Sequence, residues 1–109
     1  YTDNFSNASM FFAQALELSP NDTDIKIAHA NALMQQKQYA ESNALLREIT
    51  IGDKNYPAAL FNIGVNYFNL NEKDLACDYW VQAKKIGHLQ AKDATQRHCE
   101  KRLGRVKKW

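Results

Sequence analysis

Three histidines and two cysteines are the residues of this 109-residue chain best suited to nucleophilic, acid–base or metal chemistry near neutral pH. Such chemistry needs convergence, either a nucleophile beside a base that a third group orients, or three to four ligands at metal spacing. His29, His88 and His98 stand apart from any nucleophile or carboxylate that would complete such a set, and GxSxG, HExxH and a glycine-rich phosphate loop are all missing. Cys77 and Cys99 lack CxxC spacing and a surrounding metal-type cluster. His29 is therefore expected to pack between helices, His88 to sit in a turn after Gly87, and His98 to lie among charges. The cysteines are expected as two reduced, half-buried thiols, which leans toward a reducing, cytoplasmic-type compartment. The sequence predicts no enzyme, no cofactor, no metal site and no small-molecule substrate.

Charge is the other chemical resource. Residues 97–109 hold Arg97, Lys101, Arg102, Arg105, Lys107 and Lys108 against Glu100 alone, a net +5 in a chain whose total is +2. Together with Trp109 they could neutralise phosphates and stack on a base, so electrostatic binding of nucleic acid or another polyanion is the alternative function. An acidic protein or a membrane surface would answer the same charge. No base-reading motif accompanies it.

These groups are positioned by helices. With 45% hydrophobic and 24% charged residues the chain can form a core, and four glycines and two prolines leave room for long regular segments. No apolar run reaches the ~18 residues of a membrane-spanning helix. One domain is expected, read as a piece of a longer protein because Tyr1-Thr2-Asp3-Asn4 has neither an initiator Met nor a leader. Helices are predicted from Asn4 or Ser6 to Leu18, Asn21 or Asp22 to Gln35, Tyr39 to Ile51, Pro57 to Leu70, Lys73 to Ile86 and Leu89 to Leu103. Their stops are Gly52, Asn71, Gly87 and Gly104.

The chain also repeats itself. The pattern AxxxFxxAxxxxP occurs as Ala8, Phe12, Ala15 and Pro20; 34 residues on stand Ser42, Leu46, Ile49 and Lys54, and 34 further Ala76, Trp80, Ala83 and His88. A large apolar residue followed by LGxxY appears as Leu60, Ile63, Gly64 and Tyr67, with Lys26, His29, Ala30 and Leu33 in the copy before it. Small residues at Gly64 and Ala76 let two helices joined by a short turn approach closely, while Tyr67 and Trp80 fill the space around the contact.

This pattern resembles the tetratricopeptide repeat family over residues 1 to about 96, with Sel1-like character in residues 75–91 (Ala76, Trp80, Ala83, Gly87, Ala91). The resemblance implies an all-α, right-handed superhelical solenoid of antiparallel helix pairs. Residues 1–22 would be the second half of a repeat, 23–56 and 57–90 two repeats, 91–104 a capping helix and 105–109 a basic tail. Phe5, Met10 and Phe12 would then be partly uncovered at the N-terminal end, a face open to self-association.

The family implies a non-catalytic scaffold that binds a peptide or partner helix along the first helix of each pair. Carried onto this sequence, the surface comprises Asn31, Phe61, Asn62, Val65, Phe68 and Asn69, with Lys92 at its rim. Some family members hold a terminal carboxylate in a clamp of Lys, Asn, Asn, Lys and Arg. Asn31, Asn62 and Lys92 match three of the five places, whereas Ile27 and Gln96 replace two cations. The partner's identity is not written in the sequence.

Overall fold

The structure, a computed structural model, describes residues 2–99. Among them lie six α-helices and no strand: α1 (Thr2–Leu18), α2 (Thr23–Gln35), α3 (Tyr39–Leu46), α4 (Tyr56–Asn69), α5 (Lys73–Lys85) and α6 (Leu89–His98). Each packs chiefly against the next in chain order, α1 on α2 through α5 on α6, which is how a helical solenoid buries a core with neighbour contacts alone. The result is elongated, 52 × 31 × 18 Å. No described helix is long and apolar enough to cross a membrane.

Local chemistry accounts for the boundaries. Asp22 caps α2 by accepting from the Ile25 N–H at 3.2 Å, and Pro57 occupies the first turn of α4, where a missing donor costs nothing. α2 and α4 end in the same closed turn one repeat apart. Lys37 and Asn71 adopt φ of 63° and 65°, and the next N–H reaches back across the turn, Gln38 to the Leu33 carbonyl at 2.9 Å and Glu72 to the Tyr67 carbonyl at 2.8 Å. Gly87, with φ of 93°, closes α5 in the same way through His88 N–H and the Ala83 carbonyl at 3.1 Å.

Two ends differ from expectation. α1 begins at Thr2, so Asn4 and Ser6 lie inside it and do not cap it. α3 stops at Leu46, short of Ile51, because Glu48 and Ile49 donate to carbonyls three residues back, tightening the chain as it delivers Ile49 to the core at 3% exposure. The predicted end of the last helix, Leu103–Gly104, lies outside the described residues.

Close approach of paired helices is visible at Gly64. A Cβ there would lie 2.5 Å from Trp80 Nε1 and 2.6 Å from its Cδ1, with the Ala76 carbonyl at 3.2 Å. One repeat earlier Ala30, Ser42 and Leu46, all fully buried, hold the equivalent places. The smaller leucine there leaves room for the methyl group that the indole forbids.

The interface between the two pairs is polar at its centre. Ser42 donates to the Ala30 carbonyl at 3.0 Å, and the buried Asn66 amide donates to Ser42 Oγ at 3.0 Å and Asn43 Oδ1 at 2.7 Å. Lys26, at a place where the repeat prefers an apolar residue, buries its stem and reaches Glu48 at 3.0 Å. Thr23 donates to Asp53 at 3.0 Å, and Lys54 and Asn55 reach Asp24 at 3.1 and 2.8 Å, tying the loop before α4 to the first turn of α2.

Cys77 and Cys99 are not free thiols. They form a disulfide that joins α5 to the C-cap of α6, with Cα atoms 5.9 Å apart, inside the span a disulfide can bridge. The expectation of two reduced thiols, and the lean toward a reducing compartment drawn from it, is therefore corrected. The reason is geometric. In an antiparallel helix hairpin, residues equidistant from the turn face one another, and both cysteines lie eleven residues from His88 at the α5–α6 turn.

Candidate functional site

A surface cleft of about 530 Å³ lies between α4 and α6. Its floor is apolar: Phe61, Val65 and Phe68 recur at four and three residues along one face of α4, and Trp80 of α5 lies behind them. Its wall is the polar side of α6, where Asp93, Arg97 and His98 follow one another around Ala94. The wall faces this way because Ala91 and Thr95, both fully buried, turn the opposite side of α6 into the core.

Ring stacking fixes the floor. Phe61 stacks on His88 at 4.8 Å and on Trp80 at 6.4 Å, and Phe68 meets His98 at 4.7 Å and Trp80 at 5.6 Å. The indole N–H donates to the Phe61 carbonyl at 3.2 Å. At the wall, Arg97 pairs with Asp93 at 3.0 Å, one helical turn away and well exposed. This ion pair presents a guanidinium and a carboxylate beside an apolar floor, so the cleft offers both signs of charge to a bound chain.

His88 holds the wall in place. Its Nδ1 accepts from the Ala91 N–H at 3.2 Å, capping α6, and burial keeps its imidazole below its ordinary pKa of 6.5. An acceptor at Nδ1 is a neutral ring, so the cap and the depressed pKa support one another. His29 is also held below 6.5, by burial first, with Glu41 opposing; its Nδ1 is buried without a hydrogen-bond partner.

The remaining candidate residues are distributed around this cleft. Asn62 donates to Asn31 at 3.2 Å, linking α4 to α2, so these two amides lie together while Asn31 itself borders a different hollow. Asn69 is exposed at the end of α4. Lys92 is exposed on α6 but is not among the residues lining the cleft. Arg97 is in the cleft wall, whereas Lys101, Arg102, Arg105, Lys107 and Lys108 lie outside the described residues.

The second hollow, about 380 Å³, is bordered by Phe5, Ala8 and Phe12 of α1 and by Ala28, Asn31, Ala32 and Gln35 of α2. Ser42, Leu46 and Asn66, the counterparts of Ala8, Phe12 and Ala32 one repeat later, are buried in the packing of α2, α3 and α4. The expected uncovering of Phe5 and Met10 is seen, at 41% and 61% exposure.

The tetratricopeptide repeat model matches residues 3–60, more than half of the chain, and the helices beyond it continue the same neighbour packing. The chain belongs to the tetratricopeptide repeat family. This is a family of non-catalytic helical repeats associated with protein–protein interaction, and no group of three or more His, Cys, Asp or Glu side chains suited to a metal occurs among the described residues. No similar curated protein was found.

Within this tetratricopeptide repeat chain, sequence reasoning named three floor residues and missed most of the wall. Leu89, Gln90 and Asp93 are not singled out by the sequence, which expects Trp80 only to fill the space at the helix crossing and His98 to lie among charges, whereas the His98 ring rests on Phe68 and Trp80. The signal that could have found them is rotation of α6: with Ala91, Thr95 and Cys99 buried, the stripe at 90, 93, 94 and 97 must turn elsewhere.

Proposed function

We propose that the chain is a protein-interaction module that receives an extended peptide or a partner helix in the cleft between α4 and α6. The observation that carries this is an apolar floor of Phe61, Val65 and Phe68 left open beside a polar helix, in a helical-repeat fold associated with protein–protein interaction. In this reading an apolar side chain of the partner seats on the floor. Asn31, Asn62 and Asn69 offer amides along the adjoining surface, Lys92 stands at the rim, and the Asp93–Arg97 pair at the wall reopens to meet the partner's backbone or charges.

The reading treats residues 1–22 as half a repeat, 23–56 and 57–90 as two repeats and 91–104 as the cap. The Sel1-like spacing of Ala76, Trp80, Ala83, Gly87 and Ala91 belongs to the same reading, since its four alanine and tryptophan members are all buried between α4, α5 and α6. The exposed Phe5, Met10 and Phe11 supply a second surface, for self-association through the N-terminal end.

Phe61 is a poor probe because its ring also supports His88 and Trp80. Val65→Lys is a better one, since a lysine stem can lie along the surface while its charge spoils the floor. Peptides selected by display against the wild-type chain should bind Val65→Lys about 30-fold more weakly, a loss typical of an interface centre, with an unchanged melting curve. Equal affinity for both chains would remove the cleft as the binding site.

A further inference from the structure

We infer that the Cys77–Cys99 disulfide is the clasp that builds the cleft, so that the binding site exists in the oxidised chain and is dismantled by reduction. This rests on reading the cleft as the binding site. Among the described residues, α6 is short and buries only small side chains. It has ten residues, below the ~12–15 at which an isolated helix becomes even marginal in water. The side chains it buries are Ala91 and Thr95, while Leu89, its largest apolar residue, is 80% exposed. α4 and α5, by contrast, bury Leu60, Ile63 and Trp80. Among the described residues, α6 therefore meets α4 and α5 through small side chains, Ala91, Ala94 and Thr95, and through the His98 ring at its end.

The clasp sits where release would matter most. Cys99 follows His98 directly, and His98 is the wall residue whose ring lies on Phe68 at 4.7 Å and Trp80 at 5.7 Å. Asp93, Ala94 and Arg97, three more of the wall residues, fall within the six residues before Cys99. The far end of α6 is anchored by the α5–α6 turn and the His88 cap, so the disulfide closes a ring that contains the whole wall. Both cysteines are nearly inaccessible, at 5% and 1% exposure, so the bond is shielded while α6 is docked.

The chemistry is thiol–disulfide exchange. One cysteine thiolate attacks a low-molecular-weight disulfide such as oxidised glutathione and expels one thiolate. The second cysteine thiolate then displaces the other, forming the Cys77–Cys99 bond. Two protons leave the protein thiols, two electrons pass to the low-molecular-weight disulfide, and that disulfide is released as two thiols. Reduction by a dithiol reverses each step. An extracytoplasmic or otherwise oxidising setting is where such a bond persists.

The test is hydrogen exchange of the 91–98 amides in the full 109-residue chain, compared between the oxidised protein, the protein reduced in mild denaturant and returned to buffer with a phosphine reductant, and Cys77→Ala/Cys99→Ala. Chain-closure entropy for the eleven residues from His88 to Cys99, the stretch that release of α6 frees while α5 stays folded, predicts that exchange in α6 accelerates about 100-fold without the bond, with amides of α2 and α4 nearly unchanged. Reoxidation with oxidised glutathione should restore protection. Exchange within about threefold of the oxidised protein in both disulfide-free states overturns the clasp, and it does so without a ligand, leaving the cleft reading to stand or fall on Val65→Lys. A display-selected peptide that is sensitive to Val65→Lys should also lose at least about tenfold in affinity for Cys77→Ala/Cys99→Ala. Undiminished affinity would equally overturn the proposal.

Discussion

Adding one methyl group at Gly64 tests the packing rule of the repeat. The new Cβ would stand 2.5–2.6 Å from Trp80 ring atoms, about 1 Å inside ordinary carbon contact. The indole cannot retreat easily, because it is 3% exposed and its N–H is bonded to the Phe61 carbonyl. Overpacking at such a site costs about 3 kcal/mol, and the better helix propensity of alanine returns about 1. Gly64→Ala should therefore lose about 2 kcal/mol, a fall of roughly 10 °C in Tm for a chain of this size. Trp80→Leu alone should cost about 3 kcal/mol through the void it leaves. The double variant recreates the Ala30–Leu46 combination of the preceding repeat, where both residues are fully buried in one cluster. It should be more stable than the sum of the single losses by about 2 kcal/mol. Denaturant melts of the four chains give the coupling directly, and additivity within about 0.5 kcal/mol would refute the claim that the glycine exists to admit the tryptophan.

Other perturbations have defined outcomes. Lys37→Gly relieves a non-glycine residue at φ 63° and should raise stability by about 1 kcal/mol in urea melts. Asn66→Ala strips the donor shared by Ser42 and Asn43 from a fully buried site and should cost about 2–3 kcal/mol. His88 and His29 both bind protons less well folded than unfolded, so their stabilising contribution is full above the ordinary pKa of 6.5 and declines as pH falls below it. Thermal melts should drop between pH 7 and pH 5, and His88→Asn, which retains a capping acceptor, should flatten part of that slope; a slope unchanged in His88→Asn and His29→Gln would contradict the assignment.

What the sequence disclosed followed from periodicity. The 34-residue spacing of Ala8, Ser42 and Ala76 and of Phe12, Leu46 and Trp80 made the helix order readable, and the small residues Gly64 and Ala76 marked the close crossing, where Gly64 proves to face Trp80. Phe61, Val65 and Phe68 could be placed on one face of a helix for the same reason. What escaped depended on two helices at once. The disulfide needed α5 and α6 to be laid antiparallel about His88, and the cleft wall needed the rotation of α6 against α4, which spacing along a single helix does not report. His88 as a helix cap was hidden because the sequence shows a turn there but not which ring nitrogen meets the Ala91 N–H. The early end of α3 arose from a tightened last turn that helix propensity does not register.

The central claim is that a partner chain lies on the face of α4 beside α6. Amide chemical-shift mapping of the isotope-labelled, oxidised chain titrated with a display-selected peptide tests it most directly. The account predicts the largest shifts at Phe61, Val65, Phe68, Ala94 and His98, with His29 and Leu45, which line a separate hollow between α2 and α3, unmoved. Shifts centred on His29, Leu33 and Leu45, or on Phe5 and Ala28, with the α4–α6 amides silent, would contradict it.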